Sequence, residues 1–175
     1  MTFLFLGFSV AIFSACSDDP ESEPKGQETI IPHFELGYKV TEDMLDLMNI
    51  EINYWDLAGK KHSEAMTETT WNKTFVGEVL PAKVGYKVQC SLKGNISLDK
   101  EIYKIGGGMY CDIYTMQGSE KNSLQLTFGS SSSDISKNRI LEALEKRYIE
   151  DSLQYVWEIT ANGTLAESPT IDWSE

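Results

Sequence analysis

From Tyr86 to Leu92 apolar and polar residues alternate without interruption: Tyr86, Val88, Cys90 and Leu92 interleave with Lys87, Gln89 and Ser91. A period of two puts one set on each face of a β-strand, so this stretch demands a sheet with one buried and one wet face. The same pattern runs through Asn49–Tyr54, with Ile50, Ile52 and Tyr54 inward. Asp56-Leu57-Ala58-Gly59 then supplies a turn, and 60–66 is the returning strand of a hairpin. Further strands are expected at 71–76, 101–105, 110–116 and 154–159, with Leu124, Leu126 and Phe128 forming another inward face. Gly106-Gly107-Gly108 reads as a hairpin tip or bulge, and Asn162-Gly163 as a type I′ turn leading to a last strand at Leu165. Short strands broken by Gly, Asn, Asp and Pro predict a mainly β, antiparallel sandwich, with Trp71 and Trp157 as core anchors.

One segment departs from this rhythm. Residues from about 135 to 150 have helical spacing, with Ile140, Leu141, Leu144 and Tyr148 on one stripe. Glu142 and Lys146 form an i,i+4 pair. The expectation is one inserted helix laid across an end or open edge of the sandwich.

The amino terminus is of a different kind. Residues 1–15 are uncharged and mostly apolar, short of the roughly 20 residues a helix needs to cross a bilayer. They fit the apolar region of a secretory signal peptide. Hydrophobicity collapses at Cys16: residues 17–28 hold five acids, one lysine, two prolines and no aromatic ring, a composition that cannot pack and reads as a flexible tether. Phe13-Ser14-Ala15-Cys16 resembles the lipobox of bacterial lipoprotein precursors, and the Cys-Ser-Asp-Asp-Pro-Glu-Ser-Glu run that follows is similar to the amino termini of Bacteroidetes surface lipoproteins. The resemblance implies lipidation of Cys16, anchoring in the outer membrane and a cell-surface orientation, with a periplasm-facing orientation as the alternative. The lack of Lys or Arg before the apolar run places the expected start codon upstream of Met1. Two further stretches, 52–66 and 81–94, resemble immunoglobulin-like domains of the same class of lipoprotein, which implies an immunoglobulin-like sandwich for residues 29–175.

Charge and chemistry narrow the function. The chain carries a formal charge of -12, and residues 29–175 keep 22 acids against 14 bases. That opposes nucleic-acid binding, where Lys and Arg must neutralise phosphates. No HExxH, CxxC, Walker A or Gly-x-Ser-x-Gly motif is present, and the two histidines, His33 and His62, carry no mark of a ligand set. No cofactor or metal is expected. Cys90 and Cys111 both fall in strand patterns; an oxidising compartment allows them either to form a disulfide or to stay as two buried thiols. Asp151-Ser152-Leu153 resembles the O-glycosylation acceptor of Bacteroidetes secreted proteins, with Ser152 as the modified residue.

Aromatic side chains are the remaining candidates for ligand contact. Alternation through residues 50–57 turns Trp55 away from Ile50, Ile52 and Tyr54. It is then exposed, unless the helix covers it. Around Tyr110–Tyr114, either Tyr110 and Tyr114 or Cys111 and Ile113 point outward. The expectation is a non-enzymatic, lipid-anchored envelope protein that binds an unknown protein or glycan. The alternative is a glycan-binding accessory lipoprotein of an outer-membrane polysaccharide-uptake system.

Overall fold

The computed structural model describes residues 29–150 and 152–174. The expected signal peptide, Cys16 and the expected acidic tether fall outside them, as does Asp151. Among the described residues no helix is long and apolar enough to cross a membrane.

The chain forms an antiparallel β-sandwich of two sheets. One sheet contains β1 (Ile30–Val40), β4 (Thr70–Val76), β6 (Ile102–Gln117), β7 (Glu120–Phe128) and β8 (Ser131–Ser136), in the order β4-β1-β6-β7 with β8 also on β6. The second has β2 (Met48–Trp55), β3 (Lys61–Ala65), β5 (Ala82–Leu92) and β9 (Leu153–Ile159), in the order β3-β2-β5-β9. A short helix α1 (Glu42–Leu47) carries the chain from the first sheet to the second and buries Met44 and Leu47.

The core lies between the sheets and follows the alternation. Phe34, Leu36, Tyr38 and Val40 of β1 meet Ile50, Ile52 and Tyr54 of β2 and Val84, Tyr86 and Val88 of β5, all buried. Trp71 and Trp157 are buried as expected. Tyr86 is at the centre: its ring packs against Trp71, Tyr155 and Trp157, and its hydroxyl donates a 3.0 Å hydrogen bond to the Gly37 carbonyl of the opposite sheet. Burial pushes its ionisation far above the ordinary tyrosine range, so the hydroxyl is a permanent donor.

The structure corrects several expectations. β1 is not among the expected strands, although Pro32, Phe34, Leu36, Tyr38 and Val40 alternate with His33, Glu35, Gly37 and Lys39, and the buried Pro32 shares the inward phase of Phe34. Residues 101–105 and 110–116 belong to one strand, β6, with the three glycines in its middle rather than at a hairpin tip. Their role is close approach. Tyr110 opposes Phe128, and Gly107, three residues earlier on β6, opposes Ser131, three residues later than Phe128, so β7 and β8 lie in line along β6 and are interrupted at Gly129-Ser130. A Cβ on Gly106 or Gly108 would collide with the backbone of that crossing segment.

Leu126 and Phe128 do not face the core. They lie opposite Asp112 and Tyr110 on the outer surface and are 57% and 75% exposed, while Leu124 is partly buried. A register shift between Ile113 and Tyr114 puts Leu124 between the two pairing phases and breaks the simple alternation.

The helical segment is shorter than expected. Residues 131–136 pair as β8, and the helix begins with a tight turn at Lys137–Arg139, continues as α2 (Ile140–Leu144) and ends in a wide turn at Glu145–Ile149. Ile140 and Leu144 are buried and Tyr148 packs on the core, but Leu141 faces solvent. The segment touches β8 and β5, one strand of each sheet, and so bridges the sandwich.

Asn162-Gly163 does turn the chain back to a bridge between Ile159 and Leu165, but not as type I′. Only Gly163 takes a positive φ, of 76°, and its N–H bonds the Thr160 carbonyl, giving a type I turn closed by a left-handed glycine. Asp56–Lys60 is built the same way around Gly59.

Replacing Tyr86 by Phe keeps every ring contact and removes one buried donor. The expected loss is about 1–2 kcal/mol, read as a lower urea midpoint with an unchanged slope. An unchanged midpoint would mean the cross-sheet bond adds nothing.

Candidate functional site

The outer surface of the five-stranded sheet is built by residues that alternate out of phase with the core. β1 contributes His33, Glu35, Gly37 and Lys39, and β4 sets Val76, Thr74, Asn72 and Thr70 beside them. β6 adds Tyr114, Asp112, Tyr110 and Gly108 in the same rows, and β7 adds Leu126 and Phe128. Tyr110 and Tyr114 therefore point outward while Cys111 and Ile113 are buried, which decides between the two arrangements the sequence allowed.

These side chains hold one another in place. Glu35 receives hydrogen bonds from both tyrosines, 3.1 Å from Tyr114 Oη to Oε1 and 3.4 Å from Tyr110 Oη to Oε2. Partial desolvation and the Glu35 carboxylate both push the two phenols above their ordinary range. Across from Glu35 in the ladder is Asp112, whose Oδ2 accepts from Lys121 Nζ at 2.8 Å. The same ammonium sits 3.8 Å from the centre of the Tyr114 ring, a cation–π contact. His33 stacks on the other neighbour of that row, its ring 4.6 Å from Tyr114, and Phe128 leans on Tyr110 at 5.0 Å. Where β1 and β6 carry Gly37 and Gly108 instead of side chains, a mostly apolar depression of about 430 Å³ opens, bordered by Tyr110, Phe128 and Asn72.

Trp55 is placed differently. It does leave the core, but on the outer side of the four-stranded sheet, so it cannot share a surface with Tyr110 and Tyr114. What lies over it is the carboxyl-terminal segment rather than the helix: Trp55 borders a cavity of about 330 Å³ with Thr170, Ile171 and Asp172. Lys61 Nζ donates to the Trp173 carbonyl at 2.6 Å and Lys83 Nζ to that of Thr170 at 3.4 Å. Half-buried in this way, Trp55 is a packing residue with its indole N–H unpaired.

Cys90 and Cys111 are free thiols. They belong to different sheets, Cys90 opposite Ile50 and Cys111 opposite Leu36. Their thiols are unbridged, which is the second of the two arrangements the sequence allowed. Burial pushes the Cys90 thiol up to about 11 and raises Cys111 as well, so neither is an activated nucleophile. Ser152 is exposed between the helical segment and β9.

A second polar cluster closes one side of the sandwich and was not foreseen. His62 stacks on Tyr54 and bonds Asp56 at 2.7 Å. Beside it Glu64 accepts from Tyr54 Oη, Trp71 Nε1 and Lys73 Nζ at 2.9, 2.9 and 2.7 Å. These contacts join β2 and β3 of one sheet to β4 of the other. Among the described residues, no three His, Cys, Asp or Glu side chains converge as a metal-binding set.

The chain matches no protein-family model, and no curated protein shows detectable sequence similarity to it. Its function must be read from the geometry above.

The Glu64 cluster makes stability pH-dependent with a definite sign. Partial desolvation pushes its carboxyl up, but the hydrogen bonds from Lys73, Trp71 and Tyr54 outweigh this and leave it below the ordinary value. Its contribution is present above the unfolded value of about 4.3 and is lost as pH falls through the lower folded value. Thermal unfolding between pH 7 and 3 should therefore show a shallower acid decline in Glu64→Gln than in the parent. Parallel declines would rule out this carboxylate as a contributor.

Proposed function

We propose that this is a non-enzymatic, lipid-anchored cell-envelope protein whose task is binding, and that it docks its partner on the outer surface of the five-stranded sheet. The observation that carries this reading is the exposure of Phe128, Leu126 and Val76, 75%, 57% and 53%, around two half-buried tyrosines on one flat surface. Large apolar side chains grouped in this way mark interaction sites, and Tyr and Phe dominate the energetics of protein interfaces. The anchor rests on the resemblance of Phe13–Cys16 to a lipobox, and the acidic stretch behind Cys16 supplies the reach from membrane to domain.

A glycan ligand is the second reading, favoured by the depression beside Tyr110 and Phe128, where a sugar ring could stack with Asn72 at its rim. The aliphatic Leu126 and Val76 serve a protein partner better than a sugar, and the protein reading therefore leads.

A photo-crosslinking amino acid at position 128, in the full chain expressed with its own leader, tests the proposal on intact cells. One discrete envelope adduct is expected from position 128 and none from position 142 on the helix. Cys16→Ala should shift the protein from the membrane to the soluble fraction. No adduct at 128, or membrane retention of Cys16→Ala, would contradict the proposal.

A further inference from the structure

The centre of the outer surface is unbalanced in charge, and the imbalance specifies what a partner must bring. Glu35 and Asp112 are directly opposed on adjacent antiparallel strands, where like charges repel. Among the described residues only Lys121 forms an ion pair with either of them. Lys121 pairs with Asp112 Oδ2, while Asp112 Oδ1 is buried without a partner and no Lys or Arg among the described residues forms an ion pair with Glu35. Glu35 is held by two phenol hydroxyls, which fix its direction, and the Lys121 ammonium that pairs with Asp112 is the cation whose field it shares, so two carboxylates face one ammonium.

The walls of this acidic patch are aromatic on both sides. His33 and Tyr114 stack at one end, and Tyr110 and Phe128 meet at the other. The chain's own Lys121 demonstrates the chemistry such a site accepts, since its ammonium rests on the Tyr114 ring while paired with Asp112. Between the rings, Glu35 makes no direct ion pair with any Lys or Arg of the described residues. Exposed Leu126 lies beside Asp112 on β7, so the charge is rimmed by apolar surface.

We propose that this surface binds a protein partner through an arginine, whose guanidinium lies between Tyr110 and Tyr114 and pairs with Glu35 while apolar neighbours of that arginine cover Leu126 and Phe128. Arginine fits better than lysine because its planar group stacks on rings and offers parallel N–H donors to a carboxylate. The acidic character of residues 29–175 favours the same sign of partner by steering its approach. The inference rests on the docking surface proposed above and adds the chemistry of its occupant.

Selection of random displayed dodecapeptides on the immobilised full chain in detergent tests it, in parallel with selection on Glu35→Gln, which keeps an acceptor for the tyrosines but removes the charge. The expected result is a set of peptides enriched on the parent chain and not on Glu35→Gln, carrying arginine next to aromatic or aliphatic residues. Replacing that arginine by citrulline, which is the same shape without the charge, should weaken binding at least tenfold, and binding should fall with added salt. Glu142→Gln on the helix should select the same peptides as the parent. Enrichment without arginine, no enriched peptide, equal binding of the citrulline form, or binding of oligosaccharides in place of peptides would each overturn the arginine proposal. A discrete crosslink at position 128 alongside any of these results would leave the docking surface standing and reject only its occupant. If Glu35 merely braces the tyrosines, Glu35→Gln lowers the melting temperature but selects the parent's peptides.

Discussion

The hydrogen bond from Tyr86 to the Gly37 carbonyl ties the centre of one sheet to the centre of the other, and much else follows from it. A phenol can reach across the sandwich only if the rings around it leave a dry channel, which Trp71, Tyr155 and Trp157 form. The bond ends on the backbone of a residue that has no side chain on the far surface. An added Cβ at Gly37 would meet Asn72 Oδ1 at 2.7 Å, so the position that receives the core's central contact is also the floor of the outer depression. Core and candidate surface share a strand yet use opposite faces of it. β1 sends Phe34, Leu36 and Tyr38 inward, and His33, Glu35 and Gly37 outward.

That division explains how the surface can hold exposed apolar groups without weakening the fold. Folding is driven by the inner set, whose side chains are almost fully removed from water. The outer set is instead organised by polar contacts: two phenols on one carboxylate, one ammonium on the other, and a histidine stacked at the end of the row. Such contacts hold the rings at fixed angles, and a rigid aromatic surface loses little entropy when a partner arrives.

The legible part of this structure was the part that obeys a period of two with nothing interfering. β2 and β5 alternate cleanly, and their buried residues match the expected ones. Where the pattern was disturbed, a specific physical event lay behind it. Three consecutive glycines in β6 read as a chain reversal, but Gly108 makes room for Gly129 and Ser130, Gly106 for Ser131 and Ser132, and Gly107 for the Lys39 carbonyl of β1. The shift at Ile113/Tyr114 reversed the sense of Leu126 and Phe128, turning two expected core residues into the most exposed part of the candidate surface. β1 was hidden by a proline at its start and a glycine in its outward phase. His33 and Glu35 were missed with it, although their alternation with Phe34 and Leu36 was the available signal. The outward direction of Trp55 was correctly read, but a single sequence gives no means of seeing that residues 170–172 fold back over it.

The central claim is that the outer surface of the five-stranded sheet is occupied in the cell. Hydroxyl-radical footprinting, read residue by residue on intact cells and on the purified full chain, tests it most directly. Oxidation of Tyr110, Tyr114 and Phe128 should be several-fold lower on cells than in the purified protein, with Leu141 on the helix equally oxidised in both. Equal oxidation of all four residues in the two preparations would contradict the account.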